Sequence, residues 1–395
     1  MRCRVVLLGA SGSVGKTVLE LLRREREMFF LLGLSVHQNL SAVERIVAEF
    51  SPHFLSLTGL PEEKFPKHLS LRPLPICELA ALDEADCVVI ALPGPAALRP
   101  LLAAIGAGKR IILANKEAIV SAGSLVREAL RGSHALLLPA DSEHCGIFQC
   151  VAGEIGFLGV FHRPEKLRRV WLTASGGPFL DWTRERMGQA TPEEALGHPN
   201  WSMGARISVD SATLANKGME EIEAGWLYGL RPGEIDVLVH RRSLVHGFAE
   251  FSDGSLLAQV SPASMIFPLS FCLHYPFRRP NGEPPLNLST VGDLSFCPPD
   301  RERFPCLAIA EEAFRQGRSA PCDFEVADRV AVEAFLDKKI TFGDIPRLIG
   351  EVLARCAPVE LLSLEAVESR QEEVQRCARR LVKNFSELGQ RSRAN

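Results

Sequence analysis

Short apolar runs alternate with amphipathic stretches along the first part of the chain. Val5–Leu8, Leu31–Val36, Val88–Leu92, Ile111–Leu113 and Ala135–Leu138 are bounded by Gly, Pro, Asn or Asp. A strand covered on both faces reads as a continuous apolar run, so these predict buried strands. Between them Thr17–Arg26, Ala42–Phe50 and Ala96–Gly106 are amphipathic at helical period. Strand and helix in alternation predict a parallel, doubly wound sheet. From Val170 to Phe271 the texture changes. Segments Arg169–Leu172, Asp236–Val239 and Ser255–Val260 read as strands among helices and a polar loop around His198–Gly204, which predicts an α+β arrangement.

Residues 276–302 contain Pro276, Pro280, Pro284, Pro285, Pro298 and Pro299 with little periodicity, as expected of an extended linker. Cys306–Arg315, Phe324–Leu336, Phe342–Cys356 and Ser363–Asn384 return to helical period, and the polar residues 389–395 are expected to fray. The fold class expected is α/β. A Rossmann-like nucleotide-binding domain is expected at 1–150 and a central α+β catalytic domain at 151–275. The linker at 276–302 then leads to a C-terminal α-helical bundle at 303–395.

Composition narrows the function classes. The 395 residues are 46% hydrophobic and 24% charged, enough for a sizeable core and too apolar for wholesale disorder. Lys and Arg total 45 against 48 Asp and Glu, a formal net charge of −3. Without a basic surplus no nucleic-acid partner is expected, and any anionic ligand must be held by local groups. The eleven cysteines include no CxxC pair and read as reduced thiols. The N-terminus runs straight into the first predicted strand, leaving no room for a signal or transit peptide. No apolar run approaches the roughly 18–20 residues of a membrane helix, so a cytoplasmic protein with no membrane partner is expected.

The chemistry begins at Gly9-Ala10-Ser11-Gly12-Ser13-Val14-Gly15, directly after the first strand. Glycines at every third position allow a tight turn and close backbone approach to a pyrophosphate. The following helix presents free amides and its positive end. The second strand ends in Val36-His37-Gln38-Asn39 with no acid to hold a ribose 2′-hydroxyl, which argues for NADP over NAD. Asp141 and Glu143, two apart in extended chain after the strand Ala135–Leu138, can point the same way. Asn216 and Glu220, four apart, share one face of a helix. Three carboxylates suit a hard divalent ion, although each could equally be a solvated acid. Ala174-Ser175-Gly176-Gly177-Pro178 could offer a hydroxyl and amides to an anion. Trp201 and Met203, in the loop around His198–Gly204, are either core or a lid that excludes water. Lys116 sits where a strand ends, the usual ligand crevice of a parallel sheet.

These segments together resemble the 1-deoxy-D-xylulose 5-phosphate reductoisomerase family, over nearly the whole chain. The carrying residues are Gly9–Gly15, Leu113-Ala114-Asn115-Lys116-Glu117, Pro139-Ala140-Asp141-Ser142-Glu143-His144, Ala174–Phe179, His198–Gly204 and Ile207–Glu220. The resemblance implies divalent metal ligands at Asp141, Glu143 and Glu220. It implies a phosphate clamp at Ser175, Ser211, Asn216 and Lys217 with His198 beside them, and substrate contacts at Lys116 and Ser142. It implies NADPH contacts at Ser11, Gly12, Ser13, Val14, Gln38, Asn39, Asn115, Glu117 and Gly204, and a mobile flap carrying Trp201 and Met203. Lys116, Asp141, Glu143, Glu220 and His198 are the residues it makes catalytic.

The implied reaction converts 1-deoxy-D-xylulose 5-phosphate to 2-C-methyl-D-erythritol 4-phosphate by a metal-assisted retro-aldol/aldol sequence and hydride transfer from NADPH. The ion would be Mn²⁺, Mg²⁺ or Co²⁺, and the assembly a homodimer. Three places depart from the family pattern. His37-Gln38 stands where Gly-Lys or Gly-Arg is usual, His240-Arg241-Arg242-Ser243 replaces His-Pro-Gln-Ser, and Phe324-Glu325-Val326-Ala327-Asp328 replaces Asn-Ala-Ala-Asn-Glu. The alternatives are another NADP-dependent dehydrogenase acting on a small aldehyde or semialdehyde, or a nucleotide sensor without catalysis. The first would need a different acid–base set or a nucleophilic Cys in a motif. The second would not need the three carboxylates.

Overall fold

A computed structural model describes residues 2–66, 68–156, 159–201 and 204–394. The first elements are β1 (Cys3–Leu8), α1 (Ser13–Arg24), β2 (Phe29–Val36), α2 (Leu40–Phe50), β3 (Phe54–Leu57), β4 (Arg72–Pro73), α3 (Ile76–Ala80) and β5 (Cys87–Ile90). They continue with α4 (Leu98–Gly106), β6 (Arg110–Leu113), α5 (Glu117–Arg131), β7 (Leu136–Pro139) and α6 (Ser142–Ile155). Next come β8 (Leu167–Ala174), α7 (Arg184–Gly188), α8 (Pro192–Ala195), α9 (Ala205–Thr213) and α10 (Ala215–Tyr228). β9 (Ile235–Val239), β10 (Val245–Phe251), β11 (Leu256–Val260), α11 (Ile266–His274) and α12 (Leu288–Val291) lead to α13 (Pro305–Gln316), α14 (Ala320–Leu336), α15 (Asp344–Arg355) and α16 (Leu364–Ala394).

Two units follow. One comprises Met1–Ala118, Val126–Pro164 and Ser264–Pro285. It holds a seven-stranded sheet in the order β4-β3-β2-β1-β5-β6-β7, all parallel. The strands from Val5–Leu8 and Cys87–Ile90 are buried along their length, which is why they read as unbroken apolar runs. Chain order reverses between β1 and β5, and ligands of such sheets bind beyond the strand ends at that point. The short strands β3 and β4 were not expected. Four and two residues are too few for a periodicity, and β4 is an exposed edge containing Pro73.

The other unit comprises Ile119–Leu125, Glu165–Ala263 and Leu286–Asn395. Its four-stranded sheet has the order β11-β10-β8-β9, with β10 antiparallel to both neighbours and β8 parallel to β9. Strand β10, also unexpected, is buried at Val245–Gly247 and then alternates half-buried and buried positions to Phe251, as a strand with one covered face should. α10 lies so close to α13 that a Cβ on Gly218 would meet that of Ala310 at 2.3 Å. The helices α13–α16 form where period was read. α16 differs from expectation at its end: it runs to Ala394 instead of stopping at Asn384 and fraying over 389–395. Its Glu, Arg and Gln are good helix formers, and a single Gly389 is a cost of about 1 kcal/mol that does not end the ladder. All eleven cysteines are free thiols. Among the described residues no helix is long and apolar enough to cross a membrane.

Candidate active site

The glycine loop forms as its sequence requires. Gly9 has φ +90°, and a Cβ there would lie 2.3 Å from the Ala91 carbonyl oxygen at the end of β5. Gly15 is equally tight, since its Cβ would stand 2.3 Å from the Gly9 oxygen. The loop is pinned to β2 by Gly9 N–H and Ala10 N–H donating to the Ser35 oxygen at 3.2 and 2.9 Å. Gly12 caps α1 with no side-chain acceptor, and the first turn has no acid. Gly12 N–H turns back to the Gly9 oxygen at 3.1 Å, and the uncapped positive end of a twelve-residue helix follows at Ser13, a cradle for a pyrophosphate. Asn39 caps α2, its Oδ1 accepting from Ala42 N–H at 3.0 Å. Asn115 is buried and fully used: Nδ2 donates to the oxygens of Leu92, Gly94 and Glu117, and Oδ1 accepts from Ala118 N–H. Its side chain holds the loop after β5 to the start of α5.

In the same unit Asp141 caps α6, Oδ1 accepting from Glu143 N–H at 3.3 Å. Expected in extended chain, Asp141 and Glu143 instead sit at a helix start. They come together through the cap, because Asp is a strong N-cap residue and Ser142-Glu143 form a favourable acidic first turn. The Ser142 hydroxyl donates to the Glu143 carboxylate. Lys116, also buried, places Nζ 2.8 Å from Asp141 Oδ2.

The second unit assembles the other expected residues. Ser175 follows β8, and its Oγ lies 2.9 Å from His198 Nε2. His198 Nδ1 accepts from the backbone N–H groups of Asn200 and Trp201 at 3.2 and 3.0 Å. A nitrogen that accepts twice carries no proton, so Nε2 bears it and donates to Ser175. Burial holds the His198 pKa below its ordinary value, favouring the same neutral tautomer. Asn200 anchors the loop by donating to the Arg241 oxygen at 2.6 Å and Ser243 Oγ at 3.0 Å. Trp201 is half-buried, its ring 6.3 Å from that of His246 in an edge-on arrangement. Met203 lies outside the described residues.

Gly177 carries the Ser175 loop against α9. With φ +65°, a Cβ there would meet the Ser211 carbonyl oxygen at 2.8 Å, so only glycine lets the two backbones touch. Gly204 is the N-cap of α9. Ile207–Glu220 runs through two helices, broken at Leu214 with φ 60°. A non-glycine residue there costs on the order of 1 kcal/mol. Thr213 Oγ1 secures the break, donating to the Asp210 oxygen and accepting from Ala215 N–H, both at 3.2 Å. The turn sets Ser211 at the end of α9 and Asn216, Lys217 and Glu220 on α10. Asn216 Nδ2 donates to Glu220 Oε1 at 2.5 Å, and the Lys217 ammonium is ion-paired with Glu220. Lys217 and Glu220 are both buried, while Asn216 Oδ1 is buried without a hydrogen-bond partner. Such an oxygen beside a carboxyl group suits a cation or a donor group on a ligand.

Arg206, which the sequence did not single out, ties α9 to α14. It reaches Glu325 at 3.0 Å, and Asp328 and Asp210 at 3.6 Å. Burial pushes the Asp328 carboxyl up to about 6. The available signal was Glu325 and Asp328, two acids three residues apart and so on one face of a helix that buries most of its residues.

Three family models match this chain. The model for 1-deoxy-D-xylulose 5-phosphate reductoisomerase covers residues 5–123, and the models for its C-terminal domain cover 137–228 and 260–377. The chain belongs to the 1-deoxy-D-xylulose 5-phosphate reductoisomerase family. Among reductoisomerases, that of Ectopseudomonas mendocina (strain ymp) is 42% identical over 92% of this chain and 94% of the relative. That of Ralstonia pickettii (strain 12J) is 40% identical over 96% and 97%. A solved reductoisomerase described with NADPH, fosmidomycin and magnesium superposes with TM-score 0.88 at 35% identity, covering 96% of this chain and 98% of the other. The Zymomonas mobilis reductoisomerase with NADPH gives 0.88 at 34%, covering 97% and 99%. The α/β fold, with its nucleotide-binding sheet, is thus that of the reductoisomerases.

Proposed function

We propose that this protein converts 1-deoxy-D-xylulose 5-phosphate to 2-C-methyl-D-erythritol 4-phosphate with NADPH, as a cytoplasmic enzyme of isoprenoid precursor synthesis. One observation carries the reading beyond family membership. A single helix pair, α9–α10, delivers Ser211, Asn216 and Lys217 for an anion together with the buried carboxylate of Glu220. A nucleotide sensor has no use for that set. A semialdehyde-type dehydrogenase would call for a reactive thiol, and burial instead pushes Cys87 up to about 12 and Cys150 up to about 11. We keep the division into residues 1–150 for cofactor, 151–275 for catalysis, 276–302 as linker and 303–395 as helical support.

In this reading Asp141, Glu143 and Glu220 contribute one carboxylate each to a divalent ion. The donor set is all oxygen, which suits Mg²⁺ or Mn²⁺ and is open to Co²⁺, and the orphaned Asn216 oxygen adds to its fit. A bound ion supplies Lewis acidity to the substrate's carbonyl and hydroxyl oxygens, and NADPH supplies the hydride. The remaining work falls to the chain. Ser175, Ser211, Asn216 and Lys217, with His198 fixing the Ser175 hydroxyl, bind the phosphate and orient the reacting carbons. Lys116 and Ser142 contact the reacting end, the Lys116 ammonium balancing the carboxylate of Asp141. Trp201 and Met203 close over the site against water. Ser11, Gly12, Ser13 and Val14 receive the pyrophosphate, while Gln38, Asn39, Asn115, Glu117 and Gly204 shape the remaining cofactor contacts.

The assembly proposed is a homodimer. β11 is an edge strand that pairs only with β10 among the described residues, and it exposes Leu256 and Leu257 by 54% and 49%. An apolar open edge is satisfied by a second copy of itself in an isologous contact. NADPH oxidation dependent on 1-deoxy-D-xylulose 5-phosphate, abolished by EDTA and restored by Mg²⁺ or Mn²⁺, tests the function. Oxidation that persists fully in EDTA removes the metal assignment, and none with this substrate removes the reading.

A further inference from the structure

The end of β2 lies beside the glycine loop, because Gly9 N–H also donates to Ser35 Oγ at 2.9 Å. In a sheet of this kind the adenosine ribose of a dinucleotide lies over that strand end. The chain offers neither the acid of an NAD site nor a lysine or arginine anywhere in 37–41. The first turn of α2 has no acid either. The polar side chains there differ in what they have left to give. Asn39 Oδ1 is committed to Ala42 N–H and to the Ser41 hydroxyl at 2.9 Å. Gln38 Nε2 donates to the Gly59 oxygen at 3.1 Å. His37 Nδ1 is held 3.0 Å from Thr58 Oγ1, and Gly59 N–H donates to the His37 oxygen at 3.0 Å. A Cβ on Gly59 would fall 2.4–2.6 Å from three atoms of the imidazole, so the ring rests directly on that glycine's backbone. Its orientation is set, and Nε2 has no hydrogen bond within the protein among the described residues.

Resting on the NADPH-dependent reading above, we infer that His37 is the cofactor-specificity residue of this chain: its Nε2–H receives the 2′-phosphate of NADPH, with Thr58 and Gly59 as positioning residues. If the Thr58 hydroxyl donates to Nδ1, the ring proton sits on Nε2; if the ring is protonated, both nitrogens donate. Either state presents a donor to the phosphate, and the eleven-residue α2 points its positive end the same way. One imidazole takes the place of the longer cation such a site could use, and it does so because the 58–59 turn aims it.

The test is equilibrium binding of NADPH and of NADH, followed by nicotinamide fluorescence with neither substrate nor metal present. His37→Ala should weaken NADPH by about ten- to a hundredfold, the scale of one hydrogen bond to a charged group, and leave NADH within about threefold. Gly59→Ala, which pushes the ring aside, should move the ratio in the same direction. His37→Lys should keep the preference for NADPH. Equal weakening of both nucleotides by His37→Ala would mean that the ring merely stacks on the adenine, and an unchanged ratio would mean that it contacts nothing there; either overturns the inference. A wild-type protein that binds no NADPH would instead remove the reading on which it rests.

Discussion

His198 gives its Nε2 proton to Ser175 Oγ at 2.9 Å while its Nδ1 gathers two backbone amides of the loop that follows. One neutral ring thus fixes both a phosphate-binding hydroxyl and the loop that carries Trp201. The consequence is a defined pH dependence. The pKa of His198 is lowered by burial, so the folded protein resists a proton that the unfolded chain accepts. The arrangement contributes fully above the ordinary imidazole value of about 6.5 and is lost as pH falls through the lowered one. KM for the phosphorylated sugar should stay level at about pH 6.5 and rise only as pH falls through the lowered His198 value beneath it. His198→Ala should show the raised KM, on the order of tenfold, at every pH. A wild-type KM that never rises, down to the pH at which the protein acid-unfolds, would contradict the tautomer.

Glu220→Gln and Asp141→Asn each remove a formal charge from the proposed ion site while keeping shape. Both should lose at least about a hundredfold in kcat with far-ultraviolet dichroism unchanged, since outer partners of a metal alone account for 10–100-fold. Wild-type turnover of either variant at saturating Mn²⁺ would rule that residue out as a ligand.

Lys217 is buried and paired with Glu220, so Lys217→Ala removes one charge of a buried pair and a phosphate donor together. KM for the sugar phosphate should rise more than kcat falls, and inorganic phosphate should become a weaker inhibitor. An unchanged KM would take Lys217 out of the clamp.

The Arg206 network yields a prediction about stability. Arg206→Met leaves Asp210, Glu325 and Asp328 without their shared cation and should cost about 3–5 kcal/mol in chemical denaturation. Asp328 works in the opposite sense to a surface acid. Its carboxyl is raised to about 6 from 3.8 by burial, so the folded state holds a proton that the unfolded state releases. That contribution is complete below 3.8 and disappears as pH rises to about 6. Asp328→Asn should lose this slope in the midpoint of thermal unfolding between those values and gain stability above them.

The β11 edge tests the dimer. Leu257→Lys puts a charge on an exposed apolar edge and should shift sedimentation from dimer to monomer without unfolding the chain. A wild-type monomer at working concentration would discard the homodimer.

Much of this was legible in the sequence, for reasons that differ from element to element. β1, β2, β5 and β6 were readable because burial on both faces leaves an apolar run between glycine or polar stops. β3 and β4 were not, being too short to carry a period. The glycine loop declared itself because a backbone touching the Ala91 oxygen and another touching the Gly9 oxygen tolerate few alternatives. Asp141 and Glu143 were identified as a pair but by the wrong local geometry: extended chain and an N-cap both bring residues two apart together. The break at Leu214 was invisible, because nothing in Thr213-Leu214-Ala215 excludes a continuous helix; a positive φ at leucine is imposed by packing and by the Thr213 hydroxyl. Arg206 was hidden because two of its three acidic partners, Glu325 and Asp328, lie more than a hundred residues away, on α14.

The contact between Gly177 and the Ser211 carbonyl has a mechanical meaning. A backbone resting on another backbone has no side chain to rotate out of the way, so the Ser175 turn cannot tilt without taking the end of α9 with it. The two hydroxyls proposed to grip the phosphate therefore advance or withdraw as one jaw, and whatever displaces one of them is felt at the other without passing through the ligand.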